Sequence, residues 1–197
     1  MTCPILILAA GQSSRMRGRD KLLEPVDGVP QLRRLAIECL SQSDAVFVAL
    51  PRPDHPRASV LQDLNVTIQS VPDAAEGMSG TLRGAVRQLP RCERFMLVLG
   101  DLVEVDRTAI AAVMKAVTPG TDVIWRGATQ DGKPGHPIVF DASLRPEFDK
   151  LAGDGGAETL VNPLRHRTVL VPLPSGIARL DLDTPEEWTD WRSRTGR

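Results

Sequence analysis

The sequence predicts a three-layer α/β/α sandwich with a mostly parallel central sheet, and three observations carry that expectation. Short branched-apolar runs alternate with longer amphipathic ones over roughly the first 130 residues. The apolar runs are near-continuous, the pattern of strands covered on both faces. The chain has 197 residues, the size of one α/β domain whose core is large enough to be stable unaided.

The elements follow in order. "PILILAA" (4–10) reads as the first strand and runs into a loop rich in Gly, Ser and Arg. "QLRRLAIECL" (31–40) has helical spacing, "AVFVAL" (45–50) reads as a strand, and "RASVLQDL" (57–64) as a helix. "VTIQSV" (66–71), "FMLVLG" (95–100) and "DVIWRG" (122–127) are further strands, separated by the helices "TLRGAVRQL" (81–89) and "RTAIAAVMKAV" (107–117). Beyond residue 130 the pattern loosens. "HPIVF" (136–140) and "TVLVPL" (168–173) are expected strands, flanking the helical segments "RPEFDKLA" and "AETLVNPL". A last helix, "PEEWTDWRSR", opens with Pro185 in its first turn behind Thr184 as its cap. No internal repeat, low-complexity segment or linker interrupts the chain, so residues 1–197 are expected to form a single domain.

Composition narrows the function. The formal net charge of −1 provides no basic field to gather nucleic acid. No apolar run approaches the roughly 20 residues of a membrane span. "MTCPILILAAG" lacks the basic region and cleavage site of a signal peptide. Cys3, Cys39 and Cys92 are odd in number and have neither disulfide-framework nor zinc spacing. A bacterial-type cytoplasmic protein, with neither nucleic-acid nor membrane partner, is expected.

The most informative stretch is "ILILAAGQSSRMRGRDKLL" (5–23). In an open parallel sheet ligands gather at the carboxyl ends of the strands, where this loop would lie. Gly11 lets the backbone approach a ligand, and consecutive amides there can point at an anion. Arg15 and Lys21 would add charge, Arg as a fork and Lys as a point charge, which suits a triphosphate. The loop is neither a Walker loop, since no Gly-Lys-Ser/Thr follows, nor a G-x-G-x-x-G turn. A solvated surface turn is the competing reading of the same composition.

Asp101 follows an apolar strand and Gly100, which places its carboxylate at the same edge. Mg²⁺ takes hard oxygen ligands, usually one or two carboxylates plus substrate phosphates. Asp183 in "DLDTP" is the natural second ligand, ahead of Asp181; the alternative is that Asp101 and Asp183 merely cap the elements that follow them. His136, between Gly135 and Pro137, is either a structural histidine or a pocket residue. His55 and His166 lie in charged surroundings and read as surface residues. Trp188 and Trp191, three apart, read as core. Met78 either lines a base pocket or fills a gap.

The pattern L-A-A-G-x-S-x-R-M-x-G-x-x-K-L-L resembles the signature loop of nucleotidyltransferases with the nucleotide-diphospho-sugar transferase (Rossmann-like) fold, and more narrowly the branch that attaches a nucleotide to molybdopterin. Further segments resemble that family in its order: "GMSGTLRGAV" (77–86), "LVLGD" (97–101), "GHPIVF" (135–140), "GDGGAETL" (153–160) and "LDLDTPEEW" (180–188). The resemblance implies that Ala9, Ala10, Gly11, Ser13, Arg15 and Lys21 hold the nucleotide with Gly77, Ser79 and Thr81. It implies Arg15, Lys21 and Asp101 in catalysis, Mg²⁺ on Asp101 and Asp183, and an acceptor on His136 and Asp154. "LAAG" is similar to the cytidylyltransferase form, where guanylyltransferases show "LAGG". The implied reaction joins CMP from CTP to molybdopterin with release of pyrophosphate, and the product would pass to a molybdoenzyme partner.

Three positions depart from the family pattern: Arg17 where Gly is common, Leu102-Val103-Glu104 after the aspartate where Met or Gln and Pro are usual, and Glu158 in place of an arginine. An acidic residue at 158 would repel a phosphorylated acceptor. A related nucleotidyltransferase with another NTP or acceptor, and a non-catalytic nucleotide- or cofactor-binding maturation protein, are the alternative readings.

Overall fold

The computed structural model describes residues 3–153, 155–174 and 176–197. Its strands, in chain order, are β1 (Ile5–Leu8), β2 (Pro25–Val26), β3 (Val29–Pro30), β4 (Val46–Leu50) and β5 (Val66–Ser70). They continue as β6 (Arg94–Leu99), β7 (Ile124–Ala128), β8 (Pro134–Asp141) and β9 (Thr168–Pro172). The helices are α1 (Gln31–Leu40), α2 (Pro56–Ser59), α3 (Met78–Arg87), α4 (Arg107–Lys115), α5 (Arg145–Phe148), α6 (Glu158–Val161) and α7 (Pro185–Thr195).

Seven strands form one sheet in the order β5-β4-β1-β6-β8-β7-β9, with only β8 antiparallel to its neighbours. Successive strand residues face opposite sides, and each side is covered. Ile5, Ile7, Val46, Val48, Met96, Val98, Trp125 and Val139 pack with Leu32, Leu35 and Cys39 of α1 and Ile110 and Val113 of α4. Leu6, Leu8, Phe95, Leu97, Ile124, Ile138 and Phe140 pack with Leu82, Ala85 and Val86 of α3 and Leu160 and Val161 of α6. This is the expected three-layer α/β/α sandwich. It explains why the strands read as continuous apolar runs.

The chain steps outward from β1 to β4 and β5, then returns across β1 to β6. The strand order therefore reverses between β1 and β6, and a crevice opens at their carboxyl ends, the usual ligand position in such sheets. Because β8 runs the other way, its beginning at Pro134–His136 lies along that same edge.

Three local expectations are corrected. The helix expected over 57–64 is regular only over Pro56–Ser59. Beyond Ser59 the amides of Leu61 and Leu64 reach back three residues, and Arg33 takes the Val60 carbonyl at 2.9 Å, so the segment closes as turns. The segments 145–152 and 157–164 hold one helical turn each, α5 and α6, and the second continues as a 3₁₀ stretch over Asn162–Arg167 that contains Pro163. A hairpin not expected from the sequence, β2–β3, turns on Asp27 (φ 51°) and Gly28 (φ 77°), the Asp-Gly pair that suits a two-residue turn. At the last helix the expectation holds, since Thr184 and Glu187 form a reciprocal capping box around Pro185. Trp188 and Trp191 are buried edge-to-face, 5.9 Å between ring centroids.

Candidate active site

The loop leaving β1 is held from two sides. Ser13 and Arg17 adopt left-handed backbone (φ 51° and 52°), folding the loop back on itself. On one side the buried Arg57 donates through Nε to Asp20 Oδ2 (2.7 Å), through Nη2 to Asp20 Oδ1 (2.8 Å) and Ser13 Oγ (3.1 Å), and through Nη1 to the Ala9 carbonyl (2.5 Å). Burial raises the Asp20 carboxyl, but Arg57 outweighs it and holds the group below the usual carboxylate range. On the other side Met16, fully buried, packs with Val26, Val103, Leu182, Trp188 and Trp191. The Ser13 hydroxyl is spent inside the loop: it donates to Asp20 and accepts from the Lys21 amide.

At the end of β6, Gly100 sits where a side chain would press the Leu8 carbonyl and Leu22, and it delivers Asp101 to the crevice. The next residue, Leu102, bridges to Asp181, which draws the 181–183 segment alongside. Gln31 fixes this turn from below, its Nε2 donating to the carbonyls of Gly100 (3.1 Å) and Leu102 (3.2 Å). Val103 and Val105 are fully buried, and Glu104 accepts from the Trp191 indole at 3.0 Å. The departure from the family pattern after Asp101 thus serves to tie the acidic turn to the α7 cluster.

Carboxylate oxygens of Asp101, Asp181 and Asp183 all lie within 4.8 Å of one another. Lys21 Nζ bridges Asp101 Oδ2 and Asp183 Oδ1, at 2.6 Å each, and Arg15 Nη2 reaches Asp183 Oδ2 at 2.6 Å. Burial lowers the Lys21 pKa, but the two carboxylates win and raise it. Asp181 is raised, first by burial and then by Asp101 and Asp183. Asp101 Oδ1 is buried with no hydrogen-bond partner among the described residues. Both expected phosphate cations therefore lie on the acidic cluster.

Two clefts flank the crevice. The first, about 260 Å³, is lined by Ala9, Ala10, Gly11, Gln12, Lys21 and Asp101 on one wall and by Ala74, Ala75, Gly77, Met78 and Thr81 on the other. A side chain at Gly11 would meet no protein atom within 4 Å, so the cleft is open there to a ligand. Gly77 has φ 94°, and Thr81 donates to its carbonyl at 3.2 Å. Ser79, expected against the nucleotide, is buried and does not line this cleft, and its hydroxyl donates to the Ala152 carbonyl at 3.3 Å. The helix brings residues 77, 78 and 81 to the cleft and turns residue 79 inward.

The second cleft, about 520 Å³, meets the first along Leu8, Met78 and Leu99 and contains Arg126, His136, Glu158, Asn162 and Arg179. His136 lines this cleft, while its Nδ1 is buried without a hydrogen-bond partner among the described residues. Burial, and then Arg126, push its pKa down to about 4, so the ring is neutral at physiological pH. A side chain at Gly135 would overlap the Ala178 backbone, whose carbonyl accepts from the His136 amide at 2.8 Å. Asp154, the other expected acceptor residue, lies outside the described residues. His166 is exposed as expected, whereas His55 is half-buried and caps α2, its Nδ1 accepting from the Arg57 amide at 3.3 Å.

Sequence reasoning missed Asp20, Arg57, Arg126 and Arg179. Only Asp20, inside the signature loop, carried a signal. The three arginines sit in segments with no motif, and proximity in the fold alone brings them to the site.

Residues 5–169 match the family model described as the MobA-like NTP transferase domain. The chain belongs to this family. As a MobA-like NTP transferase it is 29% identical over 203 residues to the molybdenum cofactor guanylyltransferase of Cupriavidus metallidurans, covering 92% of this chain and 90% of that one. The crystal structure of Rv0371c from Mycobacterium tuberculosis superposes with a TM-score of 0.77 at 25% identity, over 100% of this chain and 99% of the other. The same protein in complex with manganese gives 0.74 at 25% identity, over 96% and 97%. A nucleotidyl transferase from Methanothermobacter shares the fold, with a TM-score of 0.78 at 19% identity over 98% and 97%. This MobA-like NTP transferase is a nucleotidyltransferase. No helix among the described residues is long and apolar enough to cross a membrane.

Proposed function

We propose that this MobA-like protein joins CMP from CTP to the terminal phosphate of molybdopterin. A phosphate oxygen of the acceptor attacks the α-phosphorus in line, the bond to the bridging oxygen of the β-phosphate breaks, and pyrophosphate leaves. The observation that carries the reading is the meeting, at the β1/β6 crevice, of the buckled loop, the acidic cluster and two connecting clefts.

The donor set suits a hard divalent cation: three carboxylates converge and one buried oxygen of Asp101 has no partner among the described residues. Asp101 and Asp183 would hold Mg²⁺, with Asp181 beside them, and the ion would supply charge neutralisation at the phosphates. That the mycobacterial Rv0371c forms a complex with manganese supports a divalent ion as the cofactor. Lys21 and Arg15, released from the carboxylates, would meet the triphosphate with the amides of the loop. These fixed charges and the paired clefts would do the work of positioning and charge stabilisation. His136, held neutral, would offer hydrogen bonds without adding charge.

Ala10, almost fully buried in the cleft wall, supports CTP, because its methyl takes room that a purine edge would need. The guanylyltransferase from Cupriavidus favours GTP as a second reading. The deciding experiment is a panel of four NTPs against molybdopterin and other phosphorylated acceptors, read by pyrophosphate release and product mass. A cytidylylated molybdopterin is the expected product. A guanylylated one would move the assignment to GTP, and no pyrophosphate from any pair would leave a binding or maturation role.

A further inference from the structure

The second cleft carries two guanidiniums that the transfer chemistry above does not use. Arg126 leaves β7 on the face shared by Ile124 and Ile138, and its Nε donates to the Gly135 carbonyl at 3.0 Å. Arg179 approaches from the segment after β9, and its Nη1 donates to the Pro134 carbonyl at 2.7 Å. Both are thus anchored on neighbouring carbonyls at the start of β8, which fixes their planes and leaves their other N–H groups free of any protein bond among the described residues. Neither forms an ion pair among the described residues, although Glu158 lines the same cleft. Arg126 feels this crowding: burial, and then Arg179, lower its pKa, with Glu158 acting the other way.

Among the described residues that line the cleft, two guanidiniums stand against one carboxylate beside a neutral His136, so its lining is electropositive although Asp101 acts on His136 from the neighbouring cluster. Its walls include Leu8, Leu82, Leu97 and Ile138, whose low polarity limits screening around the partly buried Arg126, while Arg179 is exposed. Anchored arginine forks match the oxygens of a phosphate monoester, and a dianion gains from both where a single carboxylate would use one. We infer that Arg126 and Arg179 clamp the acceptor's phosphate, and that Glu158 faces the hydrogen-bond-donating body of the same acceptor. The junction at Leu8, Met78 and Leu99 then lets the clamped phosphate face the nucleotide. Glu158, which by itself would repel a phosphorylated acceptor, becomes the element that orients it: phosphate toward the arginines, donor groups toward the carboxylate.

The inference rests on the transferase reading for its acceptor, and its test does not depend on turnover. Inorganic phosphate is titrated into the full-length protein and followed by NMR at the Arg126 Nε–H and the Ile138 methyls. Arg126→Gln and Arg179→Gln should each weaken phosphate at this cleft by about tenfold or more, the loss of a charge-assisted pair. Glu158→Gln should tighten it, a gain that a misfolded variant would not show. Affinity for the Mg²⁺–NTP complex should stay within about twofold in all three. Phosphate that does not perturb the wild-type cleft, or that binds unchanged in both arginine variants, overturns the clamp. If phosphate binding follows the expected pattern but no NTP–acceptor pair releases pyrophosphate, the transferase reading fails and the clamp stands. If turnover proceeds and both arginine variants keep the wild-type acceptor KM, the clamp fails alone.

Discussion

Lys21 bridges Asp101 and Asp183, its ammonium 2.6 Å from an oxygen of each. Carboxylates 80 and 162 positions beyond Lys21 in the chain are thereby joined through one cation. A divalent ion on those carboxylates must compete with the ammonium. Lys21→Ala should therefore tighten Mn²⁺ binding in the absence of nucleotide, by about tenfold if one charge-assisted contact is the competitor, while weakening NTP binding. Electron paramagnetic resonance of free Mn²⁺ measures the first effect; unchanged affinity would mean the bridge does not oppose the metal.

Asp101→Ala should cut turnover by at least about 100-fold, the usual scale for a lost charge contact in such a site. The fold should survive, because the turn that carries Asp101 is held by Gln31 and the buried Val103 and Val105. Circular dichroism and pyrophosphate release together check it. Wild-type rates would remove Asp101 from the site.

Buried Arg57 and half-buried Asp20 form the buckle of the loop. Arg57→Ala should destabilise the protein by about 1–3 kcal/mol, since the half-buried Asp20 loses its cation but keeps the Ser13 hydroxyl and the Leu22 amide. Asp20→Asn combined with Arg57→Ala should cost less than the sum of the two single changes. Chemical denaturation of all four proteins closes the cycle; strict additivity would show that the pair is not coupled.

Ala10→Gly should relax the preference for CTP over GTP without improving CTP use, because removing a methyl from the cleft wall adds room but no contact. The measurement is kcat/KM for both nucleotides with molybdopterin cofactor as acceptor. Equal use of both nucleotides by the wild type would sink the cytidylyl assignment and leave the fold and acidic cluster standing.

His136 should stay neutral down to about pH 4. Its folded pKa lies below the free value near 6.5, so the unfolded chain takes up the proton first as pH falls. Stability from this group is complete above about pH 6.5 and is lost progressively as the pH drops toward 4. His136→Gln should flatten that limb of the stability–pH curve, read from urea midpoints between pH 4 and 8. An NMR titration of the wild type that finds the imidazole protonating near 6.5 would contradict the burial argument.

The sequence by itself determined the layers and the glycine- and arginine-bearing loop after β1. Branched-apolar runs such as Ile5–Leu8 and Phe95–Leu99 are legible because burial on both faces demands continuous apolarity, a local requirement. The spacing from Gly11 to Lys21 and the Thr184-Pro185 start of α7 are local for the same reason: backbone geometry and capping act over a few residues. The tertiary structure alone decided which distant charges meet. Nothing near Arg57 announces Asp20, and nothing near Arg126 announces Arg179, because a charge pair needs only proximity in space and leaves no period in the chain. Ser79 shows the converse. It sits in the right motif, yet the turn of α3 carries its hydroxyl to the Ala152 carbonyl and away from the cleft. Motifs place backbone segments at a site; helix phase and packing then select which side chains of the segment reach it.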